Sequence, residues 1–133
     1  MRLTLAMADA PRYLVALGDT QHAPQNPDGL RVIPLARPEA TIAAVRYVQL
    51  PQWKEMRVVA ARVTLSIGHA DLLATLGDEY FAAAAYPRFV EHVHAIRAEL
   101  PALCEPGVVL ELAPLTGFDG WEWAERFAAA LAL

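Results

Sequence analysis

The apolar residues of this chain change period once, at Gly68, and that change constrains the fold more than any other feature. Before it, Val59, Ala61, Val63, Leu65 and Ile67 alternate with Ala60, Arg62, Thr64 and Ser66. A period of two puts one face of a strand in a core and leaves the other more polar, as in an antiparallel sheet with one covered face. After it, Leu72, Leu73, Leu76, Tyr80 and Ala84 recur at helical spacing behind Asp71, a residue type that suits a helix N-cap. Strands on one side of the boundary and helices on the other predict an α+β chain.

The remaining segments extend this reading. Leu3, Leu5 and Met7 alternate with Arg2, Thr4 and Ala6, and Tyr13, Val15 and Leu17 repeat the pattern, so two short strands are expected around a turn at Asp9-Ala10-Pro11. Gly18 to Gly29 has turn chemistry throughout, including Pro24 and Pro27, and reads as a long surface loop and a candidate binding element. Leu30 to Leu35 is a further short strand. Thr41 to Leu50 and Arg57 to Ile67 read as an antiparallel pair, with Pro51-Gln52-Trp53-Lys54-Glu55 as the hairpin loop and Trp53 at its tip. The alanines between Pro38 and Val48 also permit a helix there, which is the main alternative.

Pro87 is expected to end the first helix and open a second, carried by Phe89, Val93, Ile96 and Leu100. Pro106-Gly107 breaks the chain before a last strand, Val108 to Ala113. Asp119 and Glu122 then form a capping box for a C-terminal helix with Trp123, Phe127 and Leu131 facing inward. The expected architecture is one α+β domain over residues 1–133: a mostly antiparallel sheet of five to six strands covered by three helices.

Composition sets limits on function. An apolar fraction of 56% with 20% charged residues is that of a chain that packs a core, and no apolar run approaches the roughly 20 residues that a membrane helix needs. The single cysteine, Cys104, gives no intramolecular disulfide framework, so a cytoplasmic setting is expected. The dominance of Arg over Lys, together with abundant Ala, has the look of a GC-rich bacterial genome. The net charge of −4 divides into +3 for residues 1–66, with eight basic against five acidic side chains, and −7 for residues 67–133, with three against ten. Phosphates would meet like charge in the second half, so nucleic acid is not an expected partner, whereas a basic protein is.

No motif prescribes a reaction. His92 and His94 are separated by about 200° on a helix and cannot share a metal, and His69 with Asp71 lacks a third ligand at a motif spacing, so no metal is expected; His22 is remote in the loop. Cys104 follows a helix, where the C-terminal partial charge disfavours a thiolate. Ser66 lies within a strand and lacks a nucleophile elbow. No glycine-rich phosphate loop is present, and no cofactor is expected. The carboxylates of Asp78, Glu79, Glu122 and Glu125 suit solvated helix surfaces.

The residues that suggest contact are aromatic. Trp121 and Trp123 lie about 200° apart on the last helix, so both cannot face the core, and Trp53 sits at the expected hairpin tip. With Asp78, Glu79 and Glu122 around them, Trp53 and Trp121 would anchor and steer a basic partner. The first expectation is therefore a noncatalytic protein-binding domain, of the kind that blocks a basic toxin as an immunity protein or antitoxin does. A second is a small enzyme or ligand-binding protein with a pocket between sheet and helices that gathers His69, Asp71 and His92. A third is a structural subunit whose exposed aromatics form a homodimer interface.

Overall fold

The computed structural model describes residues 11–20, 25–26, 28–75, 77–115, 117–118 and 120–132. The expected first strand at Leu3 to Met7 lies outside this range, as do His22, Leu76 and Asp119, the expected cap of the last helix. Among the described residues four strands form one sheet: β1 (Tyr13–Gly18), β2 (Arg31–Pro34), β3 (Ala60–Ser66) and β4 (Leu110–Leu112), in the order 2-1-3-4. Every neighbouring pair is parallel. The α+β class stands, but the mostly antiparallel sheet of five to six strands does not, and four described helices replace the expected three.

The difference originates in residues 42–56, where the expected strand and hairpin loop are a single helix, α1. It begins as α-helix at Ile42–Ala44, passes through a π-helical turn at Val45–Gln49 and returns to α-helix at Leu50–Met56. Thr41 caps its start by accepting a hydrogen bond from the Ala44 amide at 3.3 Å. The β-branched Thr41, Ile42, Val45 and Val48 favour a strand locally, and Pro51 argues against a helix interior, because a proline ring collides with the carbonyl four residues earlier. The π turn resolves the second objection: Leu50 N–H donates to the Val45 carbonyl, which widens the helix where Pro51 would press on Tyr47. Ile42, Val45, Leu50 and Trp53 are thereby all buried, so Trp53 lies in the core and not at a hairpin tip. A helix between β2 and β3 brings the chain back to the same end of the sheet, and that makes the strands parallel.

Two further boundaries move. Asp71 does not cap a long helix but lies inside a short one, α2 (His69–Leu73), and Asp78 caps the next, α3 (Glu79–Leu103). Pro87 does not divide α3, which runs through it. Both Pro87 and Ala83, whose carbonyl loses its amide partner there, are exposed, so water can satisfy the broken turn. The inward side of α3 carries Ala82, Phe89, Val93, Ile96 and Leu100, and the final helix, α4 (Glu122–Ala132), buries Phe127 and Leu131 as its spacing predicts. Phe89 and Phe127 meet at 4.6 Å between ring centroids. Among the described residues no helix is long and apolar enough to cross a membrane.

The sheet has two unlike faces. Val15 and Leu17, Ile33, Val63 and Leu65 join the helices in one hydrophobic core. The opposite face carries Ala16, Val32, Pro34, Arg62, Thr64 and Glu111, which register places side by side across the four strands. A bulge in β3, where Tyr13 pairs with Ala60 but Leu14 with Arg62, puts Ala60 into the core in phase with Val63.

Candidate functional site

The carboxyl end of β1 is held from three sides. Gly18 has φ +91°, and a Cβ built there would stand 2.1 Å from the Ser66 carbonyl oxygen, so only glycine lets β1 and β3 approach this closely. The buried amide of Gln49 grips the same residue: Gly18 N–H donates to Gln49 Oε1 at 2.6 Å, and Gln49 Nε2 donates to the Gly18 carbonyl at 3.1 Å. That carbonyl also accepts from Arg37 N–H, and Asp19 N–H donates to the Ser66 carbonyl at 2.6 Å. Gln49 belongs to the π turn of α1, a distortion that recurs at functional sites and here places a polar side chain inside the core.

Beyond Gly18 the carboxyl ends of all four strands border a crevice of about 520 Å³. Asp19 and Thr20 follow β1, Pro34 and Ala36 lie at β2, Thr64 and Ser66 end β3, and Ala113 and Pro114 follow β4. Among the described residues, none from a helix lines it. Asp19 is 5% exposed, and its carboxylate takes no hydrogen bond from any described side chain or amide. Arg62 and Glu111 form a two-pronged pair across the floor at 2.8 and 2.6 Å, and Arg62 also donates to the Gln25 carbonyl at 2.9 Å. The Arg62 hydrogen bond holds the Glu111 carboxyl below its ordinary range. With Arg62 so occupied and the Asp19 amide taken by Ser66, the crevice offers an anion little; its carboxylate, hydroxyls and carbonyls suit uncharged or cationic polar groups.

The residues singled out from the sequence fall in several places. Trp53 is fully buried and its Nε1–H donates to the Val58 carbonyl at 2.9 Å. Trp121 is half-buried, 6.2 Å from the Phe118 ring. Asp78 Oδ1 accepts from Tyr80 N–H at 2.7 Å as the cap of α3, Glu79 is exposed beside it, and Glu122 pairs with Arg126 at 2.7 Å. Cys104 is half-buried just beyond α3, and burial pushes its thiol up.

Asp71 and His92 line one cleft of about 550 Å³ between the helices, and His69 does not. The Asp71 carboxylate accepts from Ile42 N–H at 3.0 Å, tying α2 to the start of α1; burial pushes its pKa up to about 6 against the pull of backbone amides. His92 Nδ1 stands 3.2 Å from Arg46 Nη1, and burial, reinforced by Arg46, lowers its pKa. The His69 ring packs 5.1 Å from Phe118, with its Nδ1 buried and without a partner among the described residues.

The turn chemistry after Gly18 marks a binding element in the sequence, and Asp19, Thr20 and Gln25 of that loop do border the crevice. Nothing in the sequence singles out Gln49, and Ser66 stands out there only as a candidate nucleophile. A Gly-Asp pair directly after an apolar strand is the available signal, but it gains meaning only once β1 and β3 are known to be parallel neighbours. No protein-family model matches this chain, and no curated protein matches its sequence.

Proposed function

We propose that this protein is a small-ligand-binding domain whose ligand, a compact uncharged or cationic polar molecule, seats in the crevice at the carboxyl ends of β1 and β3. One observation carries the reading: the crevice lies where the chain leaves β1 toward β2 on one side while β3 leads to β4 on the other. Open parallel sheets take their ligands at that switch of direction, outside the carboxyl ends of the strands. A volume of about 520 Å³ suits a small molecule. Asp19 supplies a charge or acceptor, and Thr20 and Ser66 supply hydroxyls.

A thermal-shift screen of small polyols, amines and amino sugars tests this, with Asp19→Asn and Thr64→Trp as variants. Hits should raise Tm for the parent chain and not for Thr64→Trp, whose indole fills the crevice, and amines should lose affinity in Asp19→Asn. Hits that stabilise all three proteins equally would sink the reading.

A second reading, a surface for a basic protein, is supported by Tyr80 and Phe81. They are 76% and 50% exposed, adjoin Asp78 and Glu79, and stack edge to face. On that reading Tyr80 takes the anchoring role expected of Trp53, with Trp121 and Glu122 farther along the chain. Tyr80→Ala should then abolish capture of one basic protein from host extract, and the same protein captured undiminished by the variant would end it.

A further inference from the structure

We infer that the cleft between α1, α2, α3 and α4 is a second site, independent of the crevice, for a small carboxylic acid with an apolar body, held by Arg88 and the Nε2–H of His92. The second half of the chain is strongly acidic, and its three basic side chains have different fates. Arg126 pairs with Glu122, and Arg97 donates to the Leu131 carbonyl at the end of α4. Arg88 makes no ion pair with any described residue, and it borders the cleft. A cation in an acidic half, turned to a concave surface and without a described partner, is disposed toward an anion from outside.

His92 is prepared for the same task. Arg46 has only hydrogens to offer, so its contact at 3.2 Å makes His92 Nδ1 the acceptor, and a neutral ring must then carry its proton on Nε2. Burial lowers the His92 pKa and so favours the neutral ring, and Arg88 borders the same cleft as His92. Arg46, in turn, has the exposed Glu91 at 3.7 Å. Arg88 and His92 therefore border one cleft with Arg46 behind the ring, and the nearby carboxylates are the exposed Glu91 and, in the cleft itself, Asp71.

Apart from Arg88 and His92, the α3 and α4 walls are apolar, with Phe81, Ala84, Ala85, Phe89 and Phe127, while Thr41, Asp71 and Thr75 add polar groups from the start of α1 and from α2 and its end. Phe81 is half-exposed at the cleft and would be covered by the body of such a ligand. Asp71 is already engaged with the start of α1. A volume of about 550 Å³ accommodates a phenyl or short alkyl chain on a carboxylate.

The test is titration of the full chain with 3-phenylpropionate, and with 3-phenylpropanol as the uncharged control, followed by amide shifts. Saturable binding of the acid is expected, with shifts at Ala84, Ala85 and His92, and with the alcohol at least about tenfold weaker. Arg88→Gln, a change at an exposed position, should weaken the acid about tenfold and leave the alcohol unchanged. Ala84→Trp should block both. Equal affinity for acid and alcohol, an Arg88→Gln protein that binds as the parent does, no saturation at millimolar acid, or shifts confined to Gly18, Asp19 and Ser66 would each overturn the inference; the last would leave the crevice reading intact.

Discussion

Gly18 is the position at which one methyl group decides the fold. With its positive φ, and with only 2.1 Å between an added Cβ and the Ser66 carbonyl oxygen, Gly18→Ala must part β1 from β3. A loss of about 2–4 kcal/mol in chemical denaturation is expected, more than a left-handed glycine alone costs. Gln49 is its counterpart. Gln49→Leu keeps the volume but strips the buried Gly18 N–H of its acceptor, and should cost about 1–3 kcal/mol by urea melts; a change under about 0.5 kcal/mol would mean the clamp is ornamental.

Asp71 and two glutamates set opposite trends with pH. Asp71 is raised from 3.8 to about 6, so its contribution to stability is full below 3.8 and is lost as pH rises through about 6. Glu105 beside Arg12, and Glu111 beside Arg62, are lowered from 4.5; their contributions are present above 4.5 and are lost as pH falls below it. Stability should therefore rise on acidification from about pH 7.5 and peak near pH 5, by about 1–3 kcal/mol for Asp71. Asp71→Asn, whose amide oxygen can still accept from Ile42, should flatten that rise in denaturation curves taken across the range.

At the scale of elements, α1 accounts for most of the distance between sequence and structure. The strands at Tyr13 to Leu17 and Arg57 to Ile67 are visible in the sequence as alternation, and those at Leu30 to Leu35 and Val108 to Ala113 as short segments bounded by proline or Pro-Gly breaks; the structure keeps a strand in each, most of them shortened. Their direction is not visible, because it depends on whether residues 42–56 return the chain by a hairpin or a helix. Local propensity favours the hairpin through Thr41, Ile42, Val45 and Val48; burial of Ile42, Val45, Gln49, Leu50 and Trp53 on one side favours the helix, and tertiary packing wins. Trp53→Ala accordingly measures core packing and should cost about 3–5 kcal/mol, where a residue at a loop tip would cost well under about 1 kcal/mol. Pro87 misleads in the same way, since the hydrogen bond it removes costs less where the freed Ala83 carbonyl faces water.

For the whole molecule, the parallel order 2-1-3-4 makes one end of the sheet special. Three observations meet there: a glycine that no other residue can replace, a π turn that delivers Gln49 to it, and a crevice bordered by the ends of four strands. Little of this is legible in the sequence, because its parts lie at residues 18–20, 49, 64–66 and 113–114 and come together only through the crossover. The charge gradient along the chain is legible, but its meaning changes: the acidic half contains Arg88, which no described acid neutralises.

Ligand binding in the crevice is tested most directly by an amide chemical-shift map of the labelled chain with the best polar hit from the thermal-shift screen. Binding in the crevice predicts saturable shifts that centre on Gly18, Asp19, Thr20, Ser66 and Ala113, lost in Thr64→Trp. Shifts confined to the exposed faces of α3 and α4, with those five amides unmoved, would contradict it.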